Sequence, residues 1–230
     1  ALSRDDIIAA AGFHFDTLPS LKHFSEMYST YSPSILGLKD VAQKPITRVA
    51  FVGTPCQINA VRRMEVLGVV PSEAIKYHLG LFCAGNFQFG PEERLQLENI
   101  GDFHWEDVVK VNLKEELLIH LKGGEIRTIP LERLDFMRRF ACQFCEDYAA
   151  EYADLSFGGL GAPEGWTTVI ARSALGQEVL DNARGRFIEL TISSEKPSAE
   201  SQALENVMEW SARKKASAAT QLQELEKEAV

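Results

Sequence analysis

A chain of 230 residues that is 45% hydrophobic can bury a substantial core, in one large domain or two small ones, and needs no covalent staples to fold. Its 24 Lys plus Arg against 33 Asp plus Glu leave a net charge of -9, the wrong sign for a broad phosphate-neutralising surface, so nucleic-acid binding is excluded. No run of about 18 uncharged apolar residues occurs, and the opening ALSRDDIIAA lacks the basic flank and apolar stretch of a signal peptide. No membrane span is expected, and the protein is expected in the cytoplasm.

In chain order, SRDDIIAAAG predicts a short helix from Ser3 to Gly12, and Ser20 to Tyr28 predicts a second. ITRVAFVG is a β-branched run ending in glycine. It is followed by TPC and by a helical segment, QINAVRRMEVLG, that stops at Gly68. AIKYHLGLFC repeats the format as a buried strand ending at Cys83. After the loop AGNFQFG, Pro91 starts the helix PEERLQLENIG. From Val108 to Pro130 the pattern becomes alternating, with a Gly123-Gly124 turn, and predicts an antiparallel hairpin or meander. Leu131 to Phe140 reads as a short helix leading into CQFC, Ala153 to Phe157 as a short strand running into GGLGAPEGW, TTVIAR as another strand, and GQEVLDNARG as a helix ending at Gly185. From Ser198 the tail is rich in Ala, Glu, Lys and Gln, with apolar positions at Leu204, Val207, Met208, Leu222 and Leu225. One or two helices packing along the body or against a partner are expected there. The fold class is α/β of mixed α+β character: strand-loop-helix units on a central mixed sheet, a β-rich insert and a C-terminal helical tail. The division expected is residues 1–185 as the main domain and 186–230 as the tail.

The four cysteines carry the chemistry. Cys56 follows a glycine and a proline at one strand end, Cys83 follows the apolar run LGLF at another, and Cys142 and Cys145 form the only CxxC pair. In a reducing compartment such a set reads as metal ligation or redox chemistry, because a metal site needs several thiolates and the ends of neighbouring strands converge. A thiolate at the start of the helix near Gln57 is also stabilised by the helix N-terminus. One iron–sulfur cluster is the leading reading. Structural zinc, a thioredoxin-like CxxC with two unrelated cysteines, and four core cysteines without a joint role stand as alternatives.

FGGLGAPEGW has GxG without the third glycine of the dinucleotide fingerprint, and it leads into a strand, so it is no Rossmann phosphate loop. Small residues there let a flat ring or a cluster approach the backbone, and Trp166, Thr167 and Thr168 at its exit offer packing and hydrogen bonds. A tight inter-strand connection explains the same glycines. His14, His23, His78, His104 and His120 form no ligand pattern and read as surface or core residues. Arg62, Arg63, Arg138 and Arg139 flank the cysteine segments and suit phosphate or carboxylate groups of a cofactor, or simply an exposed helix face. Asp147 and Asp154 read as shaping the site or capping turns.

VAFVGTPCQINAVRRM, LGLFCAGN and above all CQFCEDYAAEYADLSFGGLGAPEGWTTVIARSALGQEVLDNA closely resemble the coenzyme F420-reducing hydrogenase beta subunit family, which includes beta subunits of F420-linked formate dehydrogenases. The likeness runs from about Ala1 to Ala183. The resemblance implies an oxidoreductase subunit with a [4Fe-4S] cluster and FAD, passing electrons between a partner hydrogenase, formate dehydrogenase or heterodisulfide-reductase-type subunit and coenzyme F420. It implies Cys56, Cys83, Cys142 and Cys145 as cluster ligands, Gly158, Gly159, Gly161, Trp166 and Thr167 beside the flavin, with Thr54 and Asn86 as further contacts, and no catalytic side chain. Family members carry a glycine-containing N-terminal segment that contributes to flavin binding, and this chain is expected to begin after it. A cluster-only relay or assembly module serving ferredoxin or a heterodisulfide-reductase-type complex is the competing expectation.

Overall fold

A computed structural model describes residues 34–44, 46–113, 116–162, 166–185 and 199–228. The two helices expected before residue 33 lie outside the described residues. The chain forms two compact units, one built from residues 85–142 and the other from 34–84 with 143–230. The division expected at 185/186 borders residues 186–198, which lie outside the described residues.

The second unit starts with α1 (Leu38–Gln43), which buries Leu38 and Val41, and β1 (Val49–Gly53), a β-branched run of the kind that fits a pleated, buried surface. The helix α2 (Pro55–Val66) begins two residues earlier than its sequence pattern predicted. Pro55 presets φ in the first turn, and the Gln57 carboxamide accepts a 3.0 Å hydrogen bond from the Thr54 amide. β2 (Ile75–Leu81), β6 (Leu155–Gly158) and β7 (Thr168–Ala171) complete a sheet of order β1-β2-β6-β7, with β1, β2 and β6 parallel and β7 antiparallel to β6.

Residues paired across strands share a face. Phe51 pairs with His78 and Gly80 with Ser156, and this face is the buried one. α2 covers it with the fully buried Ile58 and Val61, joined by Ala150 and Ala153. Gly80 has to be glycine, since a Cβ would overlap that of Ala150 and reach 2.9 Å from that of Ala153. After β7, Ser173 caps α4 (Ala174–Ala183) by accepting a 3.0 Å hydrogen bond from the Gly176 amide. The tail is a single 30-residue helix, α5 (Ala199–Glu228). No described helix is long and apolar enough to cross a membrane.

The first unit packs α3 (Pro91–Gly101) on a three-stranded antiparallel meander of β3 (Val108–Leu113), β4 (Glu116–Leu121) and β5 (Ile126–Pro130). Leu97 of α3 meets Val111, Leu117, Ile119 and Ile129 in a core that also takes in Phe87, Phe89, Phe103, Trp105, Leu134 and Met137. Each such side chain, fully buried, contributes about 1.5–3 kcal/mol. The β4–β5 turn closes on Gly124, whose φ of 82° only glycine adopts freely. The helix expected over Leu131 to Phe140 is instead two 3-10 segments, Leu131–Met137 and Phe140–Phe144. Between them the backbone pairs with the loop after Cys83: the Gln88 amide donates to the Met137 carbonyl and the Arg139 amide to that of Asn86. A continuous helix would forfeit that bridge.

Candidate functional site

β1, β2 and β6 are parallel, so their C-terminal ends share one edge of the sheet, the edge where open α/β sheets commonly bind ligands. Three chemistry-bearing segments leave from it. Cys56 sits in the first turn of α2, exposed, with its Sγ 3.3 Å from the Thr54 hydroxyl. Cys83 follows β2 by two residues, and its amide donates to the Tyr148 carbonyl at 2.8 Å. β6 runs into the glycine loop.

Cys145 belongs to the same unit, and its thiol contacts the Asp147 carbonyl at 3.6 Å. Cys142, half-buried in the segment Phe140–Phe144, closes the first unit, with its amide bonded to the Arg139 carbonyl at 2.9 Å. None of the four cysteines forms a disulfide. Among the described residues, no three His, Cys, Asp or Glu side chains are assembled to hold a metal ion. Four thiolates is also the donor number that an iron–sulfur cluster takes.

The glycine loop divides in its fit to a flat ring. A Cβ on Gly158 would overlap the Phe82 ring, and one on Gly161, where φ is 82°, would lie 2.7 Å from Ala203 of α5. Close packing within the unit accounts for both glycines. Gly159 faces open space. Trp166 and Thr167 are exposed, and the loop is tied instead by the Thr168 hydroxyl, which donates to the Leu160 carbonyl at 2.7 Å. Thr54 serves as N-cap of α2. Asn86, in the first unit, keeps a buried Oδ1 without a hydrogen-bond partner among the described residues.

Two sets of residues stand out near the edge, and of these the sequence had singled out Arg62 and Asp154. Tyr148 stacks between Phe82, at 5.6 Å, and Trp210 of α5, at 5.7 Å. Burial, with the charge of the Cys83 thiolate second, pushes its hydroxyl up to about 12. Beneath the sheet lies a buried polar cluster. Asp154 accepts from the His78 amide at 2.8 Å, from the Ser173 hydroxyl at 2.8 Å and from Arg62 at 3.1 Å, and its Oδ2 lies 3.2 Å from His78 Nδ1. Glu65 Oε1 stands 2.9 Å from His78 Nε2. Burial, then the Arg62 charge, lowers the pKa of His78 against the pull of Glu65 and Asp154. Burial also raises that of Asp154, but the hydrogen bonds and Arg62 outweigh it and the net shift is downward.

The remaining flanking charges have local partners. Arg63 bonds Asn59, Arg138 pairs with Asp135, and the Asp147 carboxylate accepts from the Glu151 amide, its pKa raised by burial.

A family model that describes the C-terminal part of the beta subunit of coenzyme F420 hydrogenase/dehydrogenase matches residues 46–196. The coenzyme F420 hydrogenase subunit beta of Methanococcus voltae is 30% identical over 156 residues, which is 66% of this chain and 55% of that protein. The subunit of the same name from Methanothermobacter thermautotrophicus is 30% identical over 187 residues, covering 80% of this chain and 61% of its own length. The chain thus spans between about half and three fifths of these curated relatives. A chain of the F420-reducing [NiFe] hydrogenase complex from Methanosarcina barkeri superposes with a TM-score of 0.72 at 25% identity, covering 86% of this chain and 69% of that one.

Proposed function

Because this chain belongs to the coenzyme F420 hydrogenase/dehydrogenase beta subunit family, we propose that it is an electron-transfer subunit of an F420-linked oxidoreductase. In this reading it passes electrons between a partner hydrogenase or dehydrogenase subunit and coenzyme F420 by way of one [4Fe-4S] cluster and FAD. Cys56, Cys83, Cys142 and Cys145 are the cluster ligands. The observation that carries the reading is that the matched span, residues 46–196, contains all four cysteines and the glycine loop.

When bound, a flavin links two-electron hydride transfer to the one-electron steps of a cluster. The chain's own part is placement and charge. The first turn of α2 offers backbone N–H groups and a positive dipole end to Cys56 sulfur, Gly159 leaves the loop open to a ring, and the buried Asn86 Oδ1 supplies an acceptor. No side chain is required as an acid or a base.

The test is iron, acid-labile sulfide and flavin per chain on anaerobically purified protein. About four irons, four sulfides and one FAD are expected, followed by deazaflavin reduction in the presence of the partner. Zinc without sulfide sinks the redox reading. Cys142→Ser is expected to lose the cluster, and a normal cluster in that variant removes Cys142 from the ligand set. A cluster-only relay serving ferredoxin or a heterodisulfide-reductase-type complex is the second reading. It is favoured by the filled space at Gly158 and Gly161, and iron and sulfide without flavin would support it.

A further inference from the structure

The tail helix lies beyond the span that the family model matches, yet it runs along the edge of the sheet where Cys83 and the glycine loop emerge. Its contacts fall at Ala203, Val207, Trp210 and Lys214, a spacing of four, three and four that keeps one stripe of an α-helix on one side. Ala203 fills the space beside Gly161, Val207 is buried with Tyr148 and Ala149, and Trp210 stacks on Tyr148. The stripe then reaches a charge. Lys214 Nζ donates to the Cys83 carbonyl at 2.6 Å and to the Asp147 carbonyl at 2.8 Å.

Those two acceptors are not arbitrary. One is the carbonyl of Cys83 itself; the other is the carbonyl that the Cys145 thiol contacts. The two loops are already joined once by the Cys83 amide to the Tyr148 carbonyl. An ammonium with two short bonds to carbonyls of different loops acts as a cross-link, and charged donors form hydrogen bonds about twice as strong as neutral ones. Trp210 and the neighbouring ion pair of Lys215 with Glu151, at 2.8 Å, fix the helix register so that Lys214 has one place to reach.

We propose that Lys214 is a positioning residue for the cluster site, tying the Cys83 and Cys145 loops into one mount from the tail helix and lending them a fixed positive charge. The cluster part of this inference rests on the ligand reading above; the cross-link does not. Outer partners of metal ligands, when lost, typically cost 10–100-fold in metal affinity, which sets the size of the effect.

The experiment compares wild type, Lys214→Met and Lys214→Arg. Methionine keeps the stem and loses charge and donors; arginine keeps both. In protein stripped of iron, Lys214→Met is expected to speed amide hydrogen exchange at residues 83–86 and 145–149, with β1 unchanged. In reconstituted protein it is expected to lose iron to a chelator about tenfold faster and to show a more negative midpoint potential, because a cation no longer offsets the charge of the reduced cluster. Lys214→Arg is expected to recover a large part of each. Exchange in Lys214→Met equal to wild type overturns the cross-link, and so does a uniform rise that includes β1, which would make Lys214 a general stability residue. If exchange changes while chelation rate and potential do not, the role toward the cluster falls. A wild type that binds no iron or sulfide refutes the cluster reading and the cluster role of Lys214 together, while the exchange comparison still decides the cross-link.

Discussion

The two units differ in what fills their centres. In the first, the twelve packed side chains of the main cluster are aliphatic or aromatic, and the buried side-chain polar atoms around it include Trp105 Nε1 and the guanidinium of Arg94 that packs over the Trp105 ring. In the second, the buried face of the parallel sheet carries His78 and Ser156 as well as Phe51, and Asp154 is buried beside them. A core of the first kind is held by area and fit, which neighbouring residues share. A core of the second kind is held by directional bonds, and losing one partner strands the others. The cysteine-bearing sheet edge belongs to the unit with the polar centre, so the geometry of Cys56 and Cys83 depends on a network that tolerates little change.

Asp154→Ala is the sharpest way to break the comparison. It removes the acceptor for the His78 amide, the Ser173 hydroxyl and Arg62 at once. Leaving a buried donor without its acceptor costs about 1–3 kcal/mol, and with the His78 amide and the Ser173 hydroxyl both stranded beside a third-exposed Arg62, urea unfolding should show a loss of about 3 kcal/mol or more. The same carboxyl gives a pH signature. Its pKa in the fold is lowered, so its contribution is complete above the unfolded value of about 4 and is lost as pH falls through the folded one. Stability measured from pH 6 to pH 2 should fall on the acid side in wild type and fall less in Asp154→Asn. An unchanged acid limb would remove Asp154 from the ledger. In the first unit, Leu117→Ala leaves a cavity at a fully buried position, worth about 3 kcal/mol. Its cost should be flat across that pH range, since none of the twelve side chains packed in that cluster titrates.

Gly80→Ala sharpens the comparison from the side of packing. The added methyl meets Ala150 and Ala153, whose Cβ atoms are fixed to backbone and cannot swing away. The strand must shift, at about 1–3 kcal/mol. The shift should also reach Cys83, three residues on, and amide exchange there would report it. A substitution that leaves both stability and exchange unchanged would mean that the turn around Ala150 yields easily.

Much of this was legible in the sequence where local signals act alone. Pro91 and Gly101 bound α3 to the residue, and the alternation from Val108 to Pro130 gives the meander. The cysteines announce themselves by type. What stayed hidden depends on contacts between segments distant in sequence. Leu131 to Phe140 has a helical pattern, but its pairing with residues 86–88 is a tertiary event. His78 looked like a lone core histidine because its carboxylate partners, Glu65 and Asp154, lie on other segments of the chain. In the tail, of the five apolar positions expected to pack, Val207 is buried and the other four are not. Leu204, Met208, Leu222 and Leu225 are exposed, whereas the packed stripe runs through Ala203, Val207, Trp210, Lys214 and Ala218. Alanine gives little hydrophobic signal in a helix, and a lysine in an alanine-rich helix reads as a solvated face.

The smallest effect tests whether the polar centre is one network or several bonds. Ser173 does two things: its oxygen accepts from the Gly176 amide to cap α4, and its hydroxyl donates to Asp154 at 2.8 Å. As a cap alone, Ser173→Ala costs about 1 kcal/mol. If the hydroxyl is also part of a cooperative cluster, the cost in wild type exceeds the cost in an Asp154→Asn background, and the difference is the coupling between the two residues. A coupling of about 0.5 kcal/mol or more is expected, because Gly176 packs directly against the Asp154 carbonyl and leaves the helix no freedom to adjust. Strict additivity would reduce Ser173 to a helix cap and Asp154 to an independent anchor. The contrast between the two centres would then rest on His78 and Arg62 alone.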